Sequence, residues 1–205
     1  MAIVLVLGLV GGGAFAYFGD TETSTGNTFT AGNLDLKVSD TTEGYGDGVS
    51  ATWTMSNMQP GVDTVAPYSV SLQNSGSLAG NHVEISFSHS IDDTPDVESD
   101  TNPDSVPADM AEWIEITSMS YSGSDFATGY TDANGNGFFD LDDVTWPAYA
   151  AEGGILDNHP APAPNNGGTR TFTMALRFNA GATNDIQGDT LTTVVTFTLN
   201  QDSSQ

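Results

Sequence analysis

Alternation with a period of two is the feature that most limits what this chain can become. Val83, Ile85 and Phe87 alternate with His82, Glu84 and Ser86. Phe172, Met174, Leu176 and Phe178 alternate with Thr171, Thr173 and Arg177, with Ala175 between, and Leu34, Leu36 and Val38 oppose Asp35 and Lys37. Successive side chains of a strand point to opposite sides, so such rows build antiparallel sheets with one apolar face. Strands are expected over residues 28–38, 49–58, 67–73, 82–89, 113–121, 169–178 and 190–199, all rich in β-branched and aromatic residues. Gly, Pro, Asn and Ser separate them, as in Gln59-Pro60-Gly61 and Asn74-Ser75-Gly76. The pattern predicts an all-β fold, an antiparallel jelly-roll or immunoglobulin-like sandwich. One short helix is expected over 106–113, with Ser105 as N-cap and Pro107 in its first turn. Two loop insertions, 91–107 and 122–168, interrupt the strands, and the Pro-rich stretch 160–168 is expected to be extended and mobile.

The 205 residues suffice for one sizeable core, and cysteine is absent, so neither disulfides nor thiolate metal sites are available. Against 27 acidic residues stand only Lys37, Arg170 and Arg177, for a net charge of −24. Such a surface repels nucleic acid and anionic lipid, attracts divalent cations and suits a saline or calcium-rich exterior. Residues 2–10 are continuously apolar, ahead of Gly11-Gly12-Gly13 and Ala14-Phe15-Ala16. A membrane span needs about 20 apolar residues, so this run reads as a signal-peptide core with cleavage after Ala16. No Lys or Arg precedes it, and the alternative is a retained hydrophobic N-terminus packed in a filament core or a membrane.

The second insertion carries the one local motif with chemistry. Asp132, Asn134, Asn136, Asp140 and Asp143 fall at positions 1, 3, 5, 9 and 12 of an EF-hand-type loop, with Gly137 at the sharp turn of position 6. Phe138 would add its backbone carbonyl, and Phe139 would pack inward. Carboxylate and amide oxygens alternating around one turn suit a hard cation, and calcium is the expected cofactor. The last ligand is Asp rather than Glu, as in dockerin-type loops, and Pro147 is expected to stop any exit helix early. The competing reading is a plain Asn-Gly hairpin turn.

Four motifs occur in order. Gly11-Gly12-Gly13 precedes an aromatic-Ala cleavage site and then Phe18 and Asp20; Thr28-Phe29-Thr30-Ala31-Gly32-Asn33-Leu34-Asp35-Leu36 opens the first strand. Asn57-Met58-Gln59-Pro60-Gly61 and Asn74-Ser75-Gly76-Ser77-Leu78-Ala79 form turns. Together they resemble the TasA/camelysin family of exported proteins that build extracellular biofilm fibres, although Val62 stands where that family usually has an acidic residue. The resemblance covers the first ninety residues and fades beyond them. It implies a jelly roll, export, and assembly by strand donation, in which the N-terminal segment of one subunit completes the sheet of the next. Residues 17–27 are Thr-rich, carry two charges and lack Pro, so they can lie along an open sheet edge. Tyr17, Phe18, Thr21, Thr23, Thr25 and Phe29 are the expected polymerisation residues; a disordered or self-paired tail is the alternative. The resulting organisation is a signal peptide over 1–16, a donor strand over 17–30 and a β-sandwich domain over 31–205.

Camelysin-type relatives have been described as metalloproteases, yet the sequence holds no His-Glu-x-x-His, no Cys and no Gly-x-Ser-x-Gly. His82 and His89 differ by an odd number and so face opposite sides of a strand, unable to share one zinc. All three histidines, His159 included, read as surface residues, and the expectation is that the protein is not an enzyme. The function expected is a secreted or cell-surface filament subunit polymerising head-to-tail with itself, with other matrix components as further candidate partners and no nucleic acid. The alternative is a monomeric calcium-binding adhesion module for a glycan or surface protein.

Overall fold

Each period-two row becomes a strand whose apolar side faces a second sheet. In the computed structural model, residues 30–49, 53, 58–62, 64–92, 110–126, 130, 132–150, 154–183, 186 and 188–203 are described. The chain divides into two compact units, Met1–Ala31 and Gly32–Gln205. In the second unit the strands are β1 (Leu36–Ser39), β2 (Thr64–Asn74), β3 (His82–Asp92), β4 (Ile114–Tyr121), β5 (Ser124–Asp125), β6 (His159–Pro160), β7 (Thr169–Phe178) and β8 (Thr190–Asn200). They form a five-stranded sheet, β1-β2-β7-β4-β5, and a three-stranded sheet, β6-β3-β8. Every pairing is antiparallel. This is the all-β sandwich that the alternation predicts.

The core lies between the sheets. Phe172 of β7 is fully buried and meets Phe197 of β8 at 5.4 Å and Phe87 of β3 at 6.4 Å. Burying one such ring contributes about 1.5–3 kcal/mol. Val70, Leu72, Ile85, Met119 and Met174 complete its centre, and Trp53 donates its indole N–H to the Met174 carbonyl at 2.8 Å. The register of β2 against β7 shifts between Val65 and Tyr68. Pro67 sits in that interval and has no N–H for the ladder, so a bulge there is the natural solution.

Two of the sequence motifs pack against each other. The Asn74 side chain is fully buried; its Nδ2 donates to the Leu78 carbonyl at 2.8 Å and its Oδ1 accepts the Gly76 amide at 2.9 Å. Ser75 N–H donates to the Asp35 carbonyl at 2.7 Å and Leu78 N–H to the Asn33 carbonyl at 3.0 Å. A Cβ on Gly76 would fall on the Asn33 carbonyl oxygen and 2.7 Å from the Asp35 amide nitrogen. The glycine is needed for that close approach. At Gln59-Pro60-Gly61-Val62, Gly61 has φ +72° and the Val62 amide donates to the Gln59 carbonyl at 3.1 Å, the form of a type II turn.

Several expectations are corrected. The first strand begins only at Leu36, because the backbone of 33–35 bonds to the 74–78 turn instead of a ladder. The stretch 160–168 is not loose: Pro160 pairs with His82, Asn165 N–H donates to the Gly76 carbonyl at 2.8 Å and Asn166 N–H to the Asn74 carbonyl at 3.0 Å. Asn165 and Asn166 reach those partners with φ near +55°, which Asn tolerates. Pro147 starts a short helix, Pro147–Ala150, instead of only ending one, because its fixed φ suits a first helical position. Of the helix expected over 106–113, residues 110–113 are described: Met110 and Ala111 are helical, and Glu112 and Trp113 already form the turn into β4. Most of the strand expected over 49–58 lies outside the described residues, as do residues 93–107 of the first insertion. Among the described residues no helix is long and apolar enough to cross a membrane.

Candidate metal centres

The Asp132–Asp143 loop closes on itself through its own acceptors. Asp132 Oδ1 accepts the amides of Gly135 at 2.6 Å and Asn136 at 3.1 Å, and its Oδ2 accepts that of Gly137 at 2.7 Å. Gly135 and Gly137 have φ of +83° and +100°, the left-handed turns that L side chains resist. Asp143 Oδ1, at position 12 of the register, accepts the amides of Ala133 at 2.8 Å and Asn134 at 3.3 Å. Asp140 Oδ2 accepts the side-chain amides of Asn136 at 2.7 Å and Asn134 at 3.2 Å. These hydrogen bonds link Asp132, Asn134, Asn136, Asp140 and Asp143 into one network. Phe138 packs its ring near Trp113, and Phe139 stacks on Tyr130 with centroids 4.0 Å apart.

The frame around the loop is rigid. The Ile116 amide donates to the Phe139 carbonyl at 2.8 Å and the Leu141 amide to the Ile114 carbonyl at 3.1 Å, fastening the loop to β4. His89 of β3 fastens it to the other sheet: Nε2–H donates to the Leu141 carbonyl at 2.6 Å while Nδ1 accepts from the Thr193 hydroxyl at 2.9 Å. After Asp143 a 3-10 turn, Asp143–Thr145, leads to Pro147. Asp140 and Asp143 are completely buried. Burial pushes the Asp140 carboxyl from 3.8 up to about 6 and raises Asp143 as well. All three basic side chains are engaged elsewhere: Lys37 with Asp35 and Asp47, Arg177 with Glu115, and Arg170 with the Ala161 carbonyl. No Lys or Arg stands ready to neutralise the loop.

A second cluster lies at the start of β3. His82 and Glu84, two residues apart, share the outer face of the strand. Asn200 of β8 stands opposite His82, and β6 pairs along its other side. The bend before β6, where Asn158 takes φ +58°, brings Asp157 over the same spot. His82 Nε2 lies 3.3 Å from Glu84 Oε1, 3.7 Å from Asp157 Oδ1 and 3.3 Å from Asn200 Nδ2. The reading of the histidines as surface residues is therefore wrong: His82 is buried, and His89 and His159 are half-buried. His159 is held between the Tyr121 and Phe126 rings at 4.8 and 4.9 Å. Sequence did place His82 and His89 on opposite faces, but Asp157 is 73 positions after Glu84 and no local spacing announces it.

Residues 1–205, the whole chain, match the camelysin metallo-endopeptidase family. The chain belongs to that family. None of the curated proteins matches it. The camelysin name implies a metal, and two donor sets here are chemically suited to one: the carboxylates and amides of the 132–143 loop for a hard cation, and the imidazole with two carboxylates at His82 for a zinc-class ion. In the second set the side chains of His82 and Asp157 are each 3% exposed and that of Glu84 32%, which leaves little approach for a peptide. The residues expected to act in polymerisation, Tyr17, Phe18, Thr21, Thr23, Thr25 and Phe29, like residues 1–16, lie outside the described residues.

Proposed function

We propose that this camelysin-family chain is an exported, structural subunit of an extracellular filament, polymerising head-to-tail as residues 17–30 of one copy add to the sheet of the next. The observation that carries this reading is β8. It is 11 residues long, and among the described residues it pairs on one side only, with β3. Its inward row, Leu191, Val195, Phe197 and Leu199, is only half-buried although apolar. An open strand edge over an incompletely covered core is a template for strand addition, and a Thr-rich segment with Tyr17, Phe18 and Phe29 as anchors is a fitting occupant. Head-to-tail addition of this kind makes open filaments. Calcium in the 132–143 loop neutralises Asp140 and Asp143 and stiffens the insertion. The reading is structural, not enzymatic: the sequence has no His-Glu-x-x-His, and His82 and Asp157 of the imidazole cluster are buried.

The test is negative-stain electron microscopy of the exported chain beside a form lacking residues 17–27, both with calcium. Filaments from the first and folded monomers from the second are expected. Dispersed particles from both would favour the monomeric adhesion module, and filaments from both would rule out the N-terminal segment as donor.

A further inference from the structure

We propose that His82 Nε2, Glu84 Oε1 and Asp157 Oδ1 bind one divalent transition-metal ion of the zinc class. The ion clamps together the start of β3, the end of β8 and the bend before β6. The spacing comes first. The nitrogen stands 3.3 and 3.7 Å from the two oxygens, and all three atoms lie within 4.8 Å of one another. Ligands about 2.1 Å from a tetrahedral ion are separated by roughly 3.4 Å. Turning the Asn200 side-chain amide over brings its oxygen toward Nε2 and supplies a fourth donor, from a position now 3.3 Å away.

Valence is the second argument. One Nε2–H serves one acceptor well, yet two carboxylates and an amide converge on it. As the structure stands, the amide nitrogen and an Nε2–H would be donor against donor. Charge is the third. Two carboxylates meet here, one of them buried, while Lys37, Arg170 and Arg177 are committed elsewhere. An imidazolium supplies one positive charge against two negative ones; a divalent ion balances both. Nδ1 is buried and has no partner, so both the imidazolium and the metal-bound ring would leave its N–H without an acceptor. Nδ1 does not separate the two states, and the charge balance does. Enclosure makes the ion a structural one. It secures the bend before β6, a strand that β3 otherwise holds by a ladder of two residue pairs.

This inference does not depend on the filament reading. The chain, stripped with chelator and returned to excess calcium, is titrated with zinc by calorimetry and with cobalt by absorbance. The imidazole resonances of the three histidines are followed in the same samples. Expected are one equivalent of saturable binding, a rise in melting temperature and a perturbed His82 Nε2 resonance, with His89 and His159 unmoved. Glu84→Gln and Asp157→Asn should each weaken zinc by at least roughly 100-fold, the upper end of what losing a mere supporting contact costs, while Asp132→Ala should not. No saturable binding, binding that moves His89 or His159 instead of His82, or undiminished binding in both variants would overturn the assignment. Should the variants fail to fold, the histidine resonances of the unaltered chain decide.

Discussion

Gly76 shows how much one residue without a side chain can decide. It lets the backbone of 33–35 close over the 74–78 turn, where the buried Asn74 amide bonds to both sides of the turn. The obstacle to a Cβ is backbone, which cannot swing away as a flexible side chain can. Gly76→Ala should therefore destabilise the domain by about 1–3 kcal/mol, the usual cost of overpacking. Urea denaturation measures it, and an unchanged midpoint would mean the two motifs do not pack as described. The need for a small residue was legible as a turn signal. That its partner is the segment before β1 was not, because the two stretches are separated by about forty residues and nothing local relates them.

At the scale of elements, β3 ties both candidate metal centres to the sandwich. Its outer face carries His82 and Glu84 at one end. Its inner face carries His89 at the other, bonded to the carbonyl of Leu141 in the acidic loop. Burial lowers the pKa of His89 from its ordinary 6.5, and burial likewise lowers His159. Below that ordinary value the unfolded chain takes up protons that these folded histidines resist. The unfolded state then binds more protons, so stability falls as pH drops through the range from about 7 to 5. In excess calcium, which on the proposed reading holds the loop carboxylates ionised, the urea midpoint should decrease from pH 7.5 to pH 5.5. His89→Gln, which can still donate to the Leu141 carbonyl, should show a smaller decrease; an equal one would remove His89 as a source of the pH dependence.

For the molecule as a whole, the net charge of −24 opposes compaction everywhere, whereas an ion in the proposed 132–143 site would act at one place. The two effects are separable. Raising sodium chloride from ~0.05 to ~1 M shortens the Debye length from over 10 Å to about 3 Å and should raise the melting temperature gradually, by several degrees. Calcium added at constant ionic strength should instead give a saturable rise that Asp132→Ala abolishes while the sodium response persists. If calcium and magnesium raised the melting temperature equally and without saturation, screening alone would account for both.

What the sequence by itself determined is local. Period-two alternation set the strands and their buried faces, since a side chain's side of a strand follows from parity alone. The 132–143 loop is local as well, since its closing hydrogen bonds join residues of the same twelve-residue stretch. Tertiary structure decided whatever joins distant stretches. The division into five- and three-stranded sheets, the pairing of β8 with β3 and the anchoring of 160–168 all depend on pairings that no short window contains. The same holds for the meeting of His82 and Glu84 with Asp157. His82 stands on the face that alternation marks as wet, yet it is buried, with Asp157 of the bend before β6 brought over that face. Parity gives a side chain its direction; only the complete chain decides what lies there.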